Sequence, residues 1–225
     1  TLGGSVVLMS LGMLLCSLAP VYGILLFAML VAGLGEGVIE GLATPFVQAL
    51  HQEEPGRHMN LSHSFWSVGV LVTVLVSGAL LTVGLSWRVL VVVVASLGLV
   101  AAALLLMRPR KSAAAFEGEP AGSASTIRSD AWAVLRHRHF WLYFVAMMLA
   151  GGGEFCLTFW TASHLQLHFG SSPWSASIGV AIFALGMVGG RMASGYYIHQ
   201  DGLRRLIIVS AVLGVVVSAM LPLAP

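Results

Sequence analysis

Glu36 and Glu40 stand one helical turn apart inside a run, residues 22–48, that is otherwise apolar or small. An ionised carboxylate at the centre of a bilayer costs about 2.5–3.5 kcal/mol on insertion scales. An acid held there ordinarily faces a water-accessible cavity and does something in it. A carboxyl group with little water around it favours its neutral form. That neutral form both donates and accepts a hydrogen bond. The chemistry implied is reversible protonation of Glu36 or Glu40 beside a hydrogen-bonding ligand. A third acid, Glu154, follows Gly151-Gly152-Gly153 in another apolar run. Each glycine weakens a helix by about 1 kcal/mol relative to alanine, so the run predicts a helix interrupted at mid-depth, where transporters place binding sites. The competing reading of Glu154 is a local hydrogen bond that holds a broken turn. Trp66, Phe65 and Trp160 could stack on the apolar face of a ring-shaped solute, or simply pack against helices and lipid.

Such residues need membrane-spanning elements to hold them. Hydrophobic residues make up 58% of the 225, charged residues only 9%, and the mean hydropathy is +0.92. Soluble domains carry about 25% charged residues, so the composition excludes an ordinary water-soluble core. Runs of about 20 apolar residues mark helical spans. Seven are expected, over 1–19, 22–48, 61–83, 88–107, 140–163, 174–197 and 205–223, in an all-α membrane protein. The runs are continuous, which argues against a membrane β-barrel. Assigning the intervening loops alternately to two sides gathers Arg57, Arg108, Arg110, Lys111, Arg128, Arg136, Arg138, Arg204 and Arg205 on one of them. The other keeps Arg88, and Arg191 falls within the sixth span. The positive-inside rule places the basic side in the cytoplasm of a multi-pass protein of the cell (plasma or inner) membrane. Residues 1–107 and 140–225 read as two helical bundles. Residues 108–139 read as a cytoplasmic linker, small, polar and Pro/Gly-punctuated in its middle, with a short amphipathic helix near 130–135. The chain opens and closes inside apolar runs and reads as part of something longer. Cys16 and Cys156 lie in different spans, so no disulfide framework is implied.

Glycines recur at four-residue spacing in two spans, as Gly33, Gly37 and Gly41 and as Gly186, Gly190 and Ser194. Both stripes predict close helix packing. Other chemistry is weakly represented. His51, His58 and His63 cluster near the cytoplasmic side, and His164 and His168 stand at i, i+4 on the outer side, a spacing that can chelate a metal. No carboxylate completes a close ligand set at that second spacing, and no His-Glu-x-x-His occurs. No metal, cofactor or enzymatic activity is expected. Gly33-Leu34-Gly35-Glu36-Gly37 lies in membrane rather than after a soluble strand, so it is not a dinucleotide loop. Nothing points to nucleic acid or to an obligate protein partner. The expected partners are the lipid bilayer, a small-molecule solute and protons.

Glu40-Gly41-Leu42-Ala43-Thr44-Pro45-Phe46-Val47, followed by Asn60-Leu61-Ser62-His63-Ser64-Phe65-Trp66-Ser67-Val68-Gly69, resembles the fourth and fifth helices of the major facilitator superfamily. The pattern is most similar to the fucose-permease-like sugar:proton symporters. Gly153-Glu154 with Trp160 resembles the seventh helix of that group. Gly186 to Arg191, with Gly195, Gly202, Arg204 and Arg205, resembles the segment between helices eight and nine. The resemblance implies a partial twelve-helix bundle, covering helices three to nine, and proton-coupled uptake of a sugar or similar small polar solute by alternating access. It implies that Glu40 couples the proton to solute binding. The group's fifth-helix asparagine falls on Trp66, and the asparagine before its Pro-Phe-Val falls on Thr44. Arg191, Asp201, Arg204 and Arg205 would belong to the gating loop, in which His199 and Gln200 take the usual Asp and Arg places. The alternatives are a major facilitator carrier of another solute class, such as drug or metabolite efflux, a metal-dependent intramembrane enzyme, or a non-transporting remnant.

Overall fold

The structure is a computed structural model and describes residues 2–107 and 132–220. Seven α-helices account for nearly all of it: α1 (Leu2–Leu18), α2 (Tyr22–Leu50), α3 (Pro55–Thr82), α4 (Trp87–Met107), α5 (Arg138–Phe169), α6 (Pro173–Tyr197) and α7 (Leu203–Met220). Helices α2 to α6 are each long and apolar enough to cross a membrane, while α1 has 17 residues. A short helical stretch at 132–136 matches part of the expected surface helix. The central part of the expected linker, with Arg108, Arg110, Lys111 and Arg128, lies outside the described residues, as do 221–225.

The bundle is built inside out relative to a soluble core. Its buried apolar residues are Ala19, Ala28, Ala95, Ala102, Ala176, Val180, Ala181 and Ala184, and its buried polar residues are serines. Most of the leucines, valines and phenylalanines stand on the outside. Lipid is as apolar as leucine, so bulky side chains gain little from mutual burial. Small residues gain close backbone approach and dispersion contact.

Close approaches fix the helix directions. Gly12 meets the backbone of Ala32, and Gly35 meets Met9, so α1 and α2 run antiparallel. Gly3 faces Leu106 and Gly98 faces Ser10, which lays α4 antiparallel along α1. Arg88 closes that pair: its Nη1 donates to Ser17 O (2.6 Å) and Ala19 O (3.0 Å) at the end of α1, and its guanidinium lies 4.9 Å from the Trp87 ring centroid. A cation on the terminal carbonyls satisfies them and complements the helix dipole.

The most extensive contact joins α3 to α6, across the 108–131 segment. Gly78 faces Ser177 and Pro173 at one end, and Gly195 faces Leu61 and Arg57 O at the other. The two helices are therefore antiparallel over their whole length. Trp174 N–H donates to Thr82 Oγ1 (2.9 Å), tying the start of α6 to the end of α3. Helix α6 starts cleanly, with Pro173 in its first turn and Ser172 Oγ accepting from Ser175 N–H (3.2 Å). Gly170, at φ 60°, supplies the left-handed residue that ends α5. Helix α5 packs on α6 from the other side.

Three expectations are corrected. Helix α5 runs unbroken through Gly151-Gly152-Gly153. In lipid, the backbone groups have no solvent to turn to, and the helix is the conformation that satisfies them internally. The stripes at Gly33, Gly37 and Gly41 and at Gly186 and Gly190 do not pack: nothing among the described residues lies within 4 Å of a Cβ built at any of them. The contact face of α2 is instead Ala28, Ala32 and Gly35, and that of α6 includes Ala184 and Gly195. Two boundaries also move. Helix α3 begins at Pro55 rather than 61, and α5 reaches Phe169 rather than 163.

Candidate functional site

Helices α2 and α3 form a hairpin whose facing stripes leave a cleft of about 100 Å³. Its α2 wall is Glu40, Ala43, Thr44 and Val47. Its α3 wall is Met59, Ser62, His63 and Trp66. Each set follows the i, i+3, i+4, i+7 spacing of a single helix face. The cleft therefore unites an acid, two hydroxyls, an imidazole and an indole over an apolar floor. That combination suits a small solute with several hydrogen-bonding groups and one flat apolar face. Of the sequence-predicted residues, the structure brings Glu40, Thr44 and Trp66 together here. Ser62, His63 and Met59 were not predicted as site residues, although the helical spacing counted back from Trp66 reaches all three.

Trp66 also belongs to a second cluster. The Arg191 guanidinium lies 5.3 Å from its ring centroid. Arg191 Nη2 donates to both carboxylate oxygens of Glu154, at 2.9 and 3.1 Å. Its Nη1 donates to Ser67 Oγ (2.5 Å) and, at 3.5 Å, to His63 O. Arg191 thus ties α6 to α5 through an ion pair and to α3 through neutral acceptors. The pair is partly open, with side-chain exposures of 24% for Arg191 and 28% for Glu154. An isolated charge at this depth is expensive, and a paired, hydrogen-bonded one is tolerated. Arg191 sits inside α6, six residues before its end, and not in the turn that follows. The turn itself, a 3-10 segment Gln200–Gly202, carries an exposed Asp201 and leads to exposed Arg204 and Arg205.

The remaining predicted residues fall elsewhere. Glu36 is exposed on α2 and lines neither cluster. Trp160 is 69% exposed on α5 and makes no contact with the cleft.

A contact the sequence did not reveal sits at the end holding the α2–α3 and α6–α7 turns. Glu54 pairs with Arg57 (3.0 Å) and stands 3.9 Å from His199 Nε2. The Arg57 hydrogen bond, with the positive charges of Arg57, His199 and His58 behind it, holds the Glu54 carboxyl below its ordinary range. Beside it, His51 and His58 stack with ring centroids 3.7 Å apart. The His164 and His168 rings lie 4.5 Å apart at the opposite end, tilted by 43°. Among the described residues no three His, Cys, Asp or Glu side chains gather as a metal would require.

No curated protein and no solved structure gives a significant match to the chain. A family model described as Major Facilitator Superfamily matches residues 1–225, the entire chain. With its apolar helices, small-residue core and charged clusters held between spans, the chain belongs to the Major Facilitator Superfamily and is a multi-pass integral membrane protein of the transporter class.

Proposed function

We propose that this protein is a secondary active transporter that takes up a sugar or similar small hydroxylated solute together with protons, across the cell membrane. Helices α1–α4 and α5–α7 belong, in this reading, to two bundles that rock about the seam between α3 and α6. The observation that carries the proposal is the meeting of Glu40, Thr44, Ser62 and Trp66 in one cleft. The indole offers a stacking face for a sugar ring, and the hydroxyls and acid offer partners for its hydroxyl groups. A neutral Glu40 can donate to a solute oxygen, whereas an ionised Glu40 can only accept. Protonation and solute binding therefore favour one another, which is the coupling a proton gradient needs.

The test is Glu40→Gln in the full-length protein reconstituted in proteoliposomes. The amide keeps the donor but cannot cycle its proton. Uphill accumulation driven by a pH gradient should be abolished while solute exchange survives. Undiminished accumulation would remove Glu40 from the coupling role.

A further inference from the structure

We propose that the transported solute is a hydroxylated organic acid, of the sugar-acid type, whose carboxylate binds Arg191 on the side facing α3. The inference rests on the transporter reading above and narrows its substrate class.

The two terminal nitrogens of the guanidinium are used unequally. Nη2 is engaged by an ionised partner, since both Glu154 oxygens lie within hydrogen-bond distance of it, at 2.9 and 3.1 Å. Nη1 faces α3 and is held by neutral groups only, the Ser67 hydroxyl and the more distant His63 carbonyl. The bonds to Ser67 and His63 are assisted by the arginine's charge alone, whereas a carboxylate brings an opposite charge and the attraction between the two. An incoming carboxylate therefore outcompetes Ser67 and His63 for Nη1 without having to displace Glu154. Glu154 acts as a positioning residue that keeps the guanidinium aimed.

The location fits the rest of such a molecule. Arg191 lies against the ring of Trp66, and Trp66 is also a wall of the Glu40 cleft. A ring stacked on the indole can present hydroxyls to Glu40, Thr44 and Ser62 and a carboxylate to Arg191. A neutral sugar would leave Nη1 bound to α3.

Charge counting gives a second support. Glu40, Glu154 and Arg191, all ionised, sum to one negative charge. Adding one carboxylate to Arg191 and one proton to Glu40 leaves that sum unchanged. The loaded and empty sites then carry equal charge. The expected stoichiometry is one proton per anion, with no net charge moved.

Uptake of radiolabelled D-glucuronate and D-glucose into proteoliposomes of the full-length protein tests this, with a pH gradient and a membrane potential imposed separately. Glucuronate should accumulate on the pH gradient, be indifferent to the potential and exceed glucose. Arg191→Gln should weaken glucuronate uptake by roughly 10- to 100-fold, the scale of losing a hydrogen-bonded charged contact. Arg191→Lys, which keeps the charge, should retain part of it. Ser67→Ala removes the competing acceptor and should tighten glucuronate binding, measured as a larger ligand-induced thermal shift of the purified protein. A purely architectural Ser67–Arg191 bond would give no such tightening. Glucose accumulation with neither uptake of, nor competition by, glucuronate would overturn the substrate class and leave the transporter reading standing. Movement of neither solute on a pH gradient would overturn both.

Discussion

Replacing Gly35 with alanine is expected to push α1 and α2 apart. A Cβ built there lies 2.7 Å from Ser5 O and 2.8 Å from Met9 Cα. Both are backbone atoms, so no change of rotamer relieves the overlap. Carbon atoms settle at about 3.5–4.0 Å, so the two helices must separate by about 1 Å. Overpacking of this kind costs about 1–3 kcal/mol, against about 1 kcal/mol gained from alanine's better helix propensity. Gly33, two residues earlier on the same helix, provides the control: nothing among the described residues lies within 4 Å of its Cβ position. Gly33→Ala keeps the propensity gain and meets no obstacle. The two variants should therefore differ by about 1–3 kcal/mol in favour of Gly33→Ala. Thermal unfolding of the purified full-length protein in detergent measures this, and Gly35→Ala should melt lower while Gly33→Ala melts at or above the parent. Because α2 also carries the Glu40 stripe, Gly35→Ala should depress transport as well. Equal melting of the two variants, or greater damage from Gly33→Ala, would refute the assignment of the α1–α2 contact face.

Arg88→Ala should lower detergent stability by about 1 kcal/mol through loss of the cation on the carbonyls ending α1, and Arg88→Lys should recover part of it; thermal unfolding decides. Thr82→Val should cost about 1 kcal/mol by orphaning the Trp174 N–H at the start of α6, and hydrogen exchange at Trp174 should rise in step. The Glu54 contact should respond to acid. Its carboxyl is held below the ordinary 4.5, so the stability it contributes is full above that pH and is lost as pH falls through the depressed value. Hydrogen exchange of residues 51–58 should therefore accelerate on acidification below that range. Glu54→Gln should show the fast exchange at every pH.

The helices were legible because each span is a continuous apolar run, and little else can satisfy a backbone in lipid. The cleft was partly legible because Glu40 and Thr44 share one face of a helix, as do Ser62, His63 and Trp66. The ion pair was missed because its members are far apart in sequence. A depth count would have found it. At 1.5 Å per residue, Glu154 lies about 24 Å along α5 from Gly170, and Arg191 about 28 Å along α6 from Ser172. Opposite charges at matching depth on neighbouring antiparallel spans are natural partners. The packing glycines were misassigned for a different reason. Helix α2 carries small residues at 28, 32, 33, 35, 37, 41 and 43, on several faces at once. Spacing alone cannot say which face a neighbour chooses. The glycine run at 151–153 misled because its cost in water does not carry over to a medium with no competing hydrogen-bond partners.

The seam between α3 and α6 is lined by Ser64, Ser67 and Gly78 on one helix and by Ala176, Ser177, Val180, Ala181, Ala184 and Gly195 on the other. These side chains are too short to interlock like gear teeth, and a longer one, Leu61, is set against Gly195 at one end of the seam. Away from Leu61, one helix can change its tilt on the other without driving a large group through an eclipsed rotamer. The surface behaves as a bearing, smooth between its ends and pinned by two hydrogen bonds, Arg191–Ser67 and Trp174–Thr82. Friction in this molecule is concentrated at those pins, so whatever loosens one of them sets how freely the helices swivel.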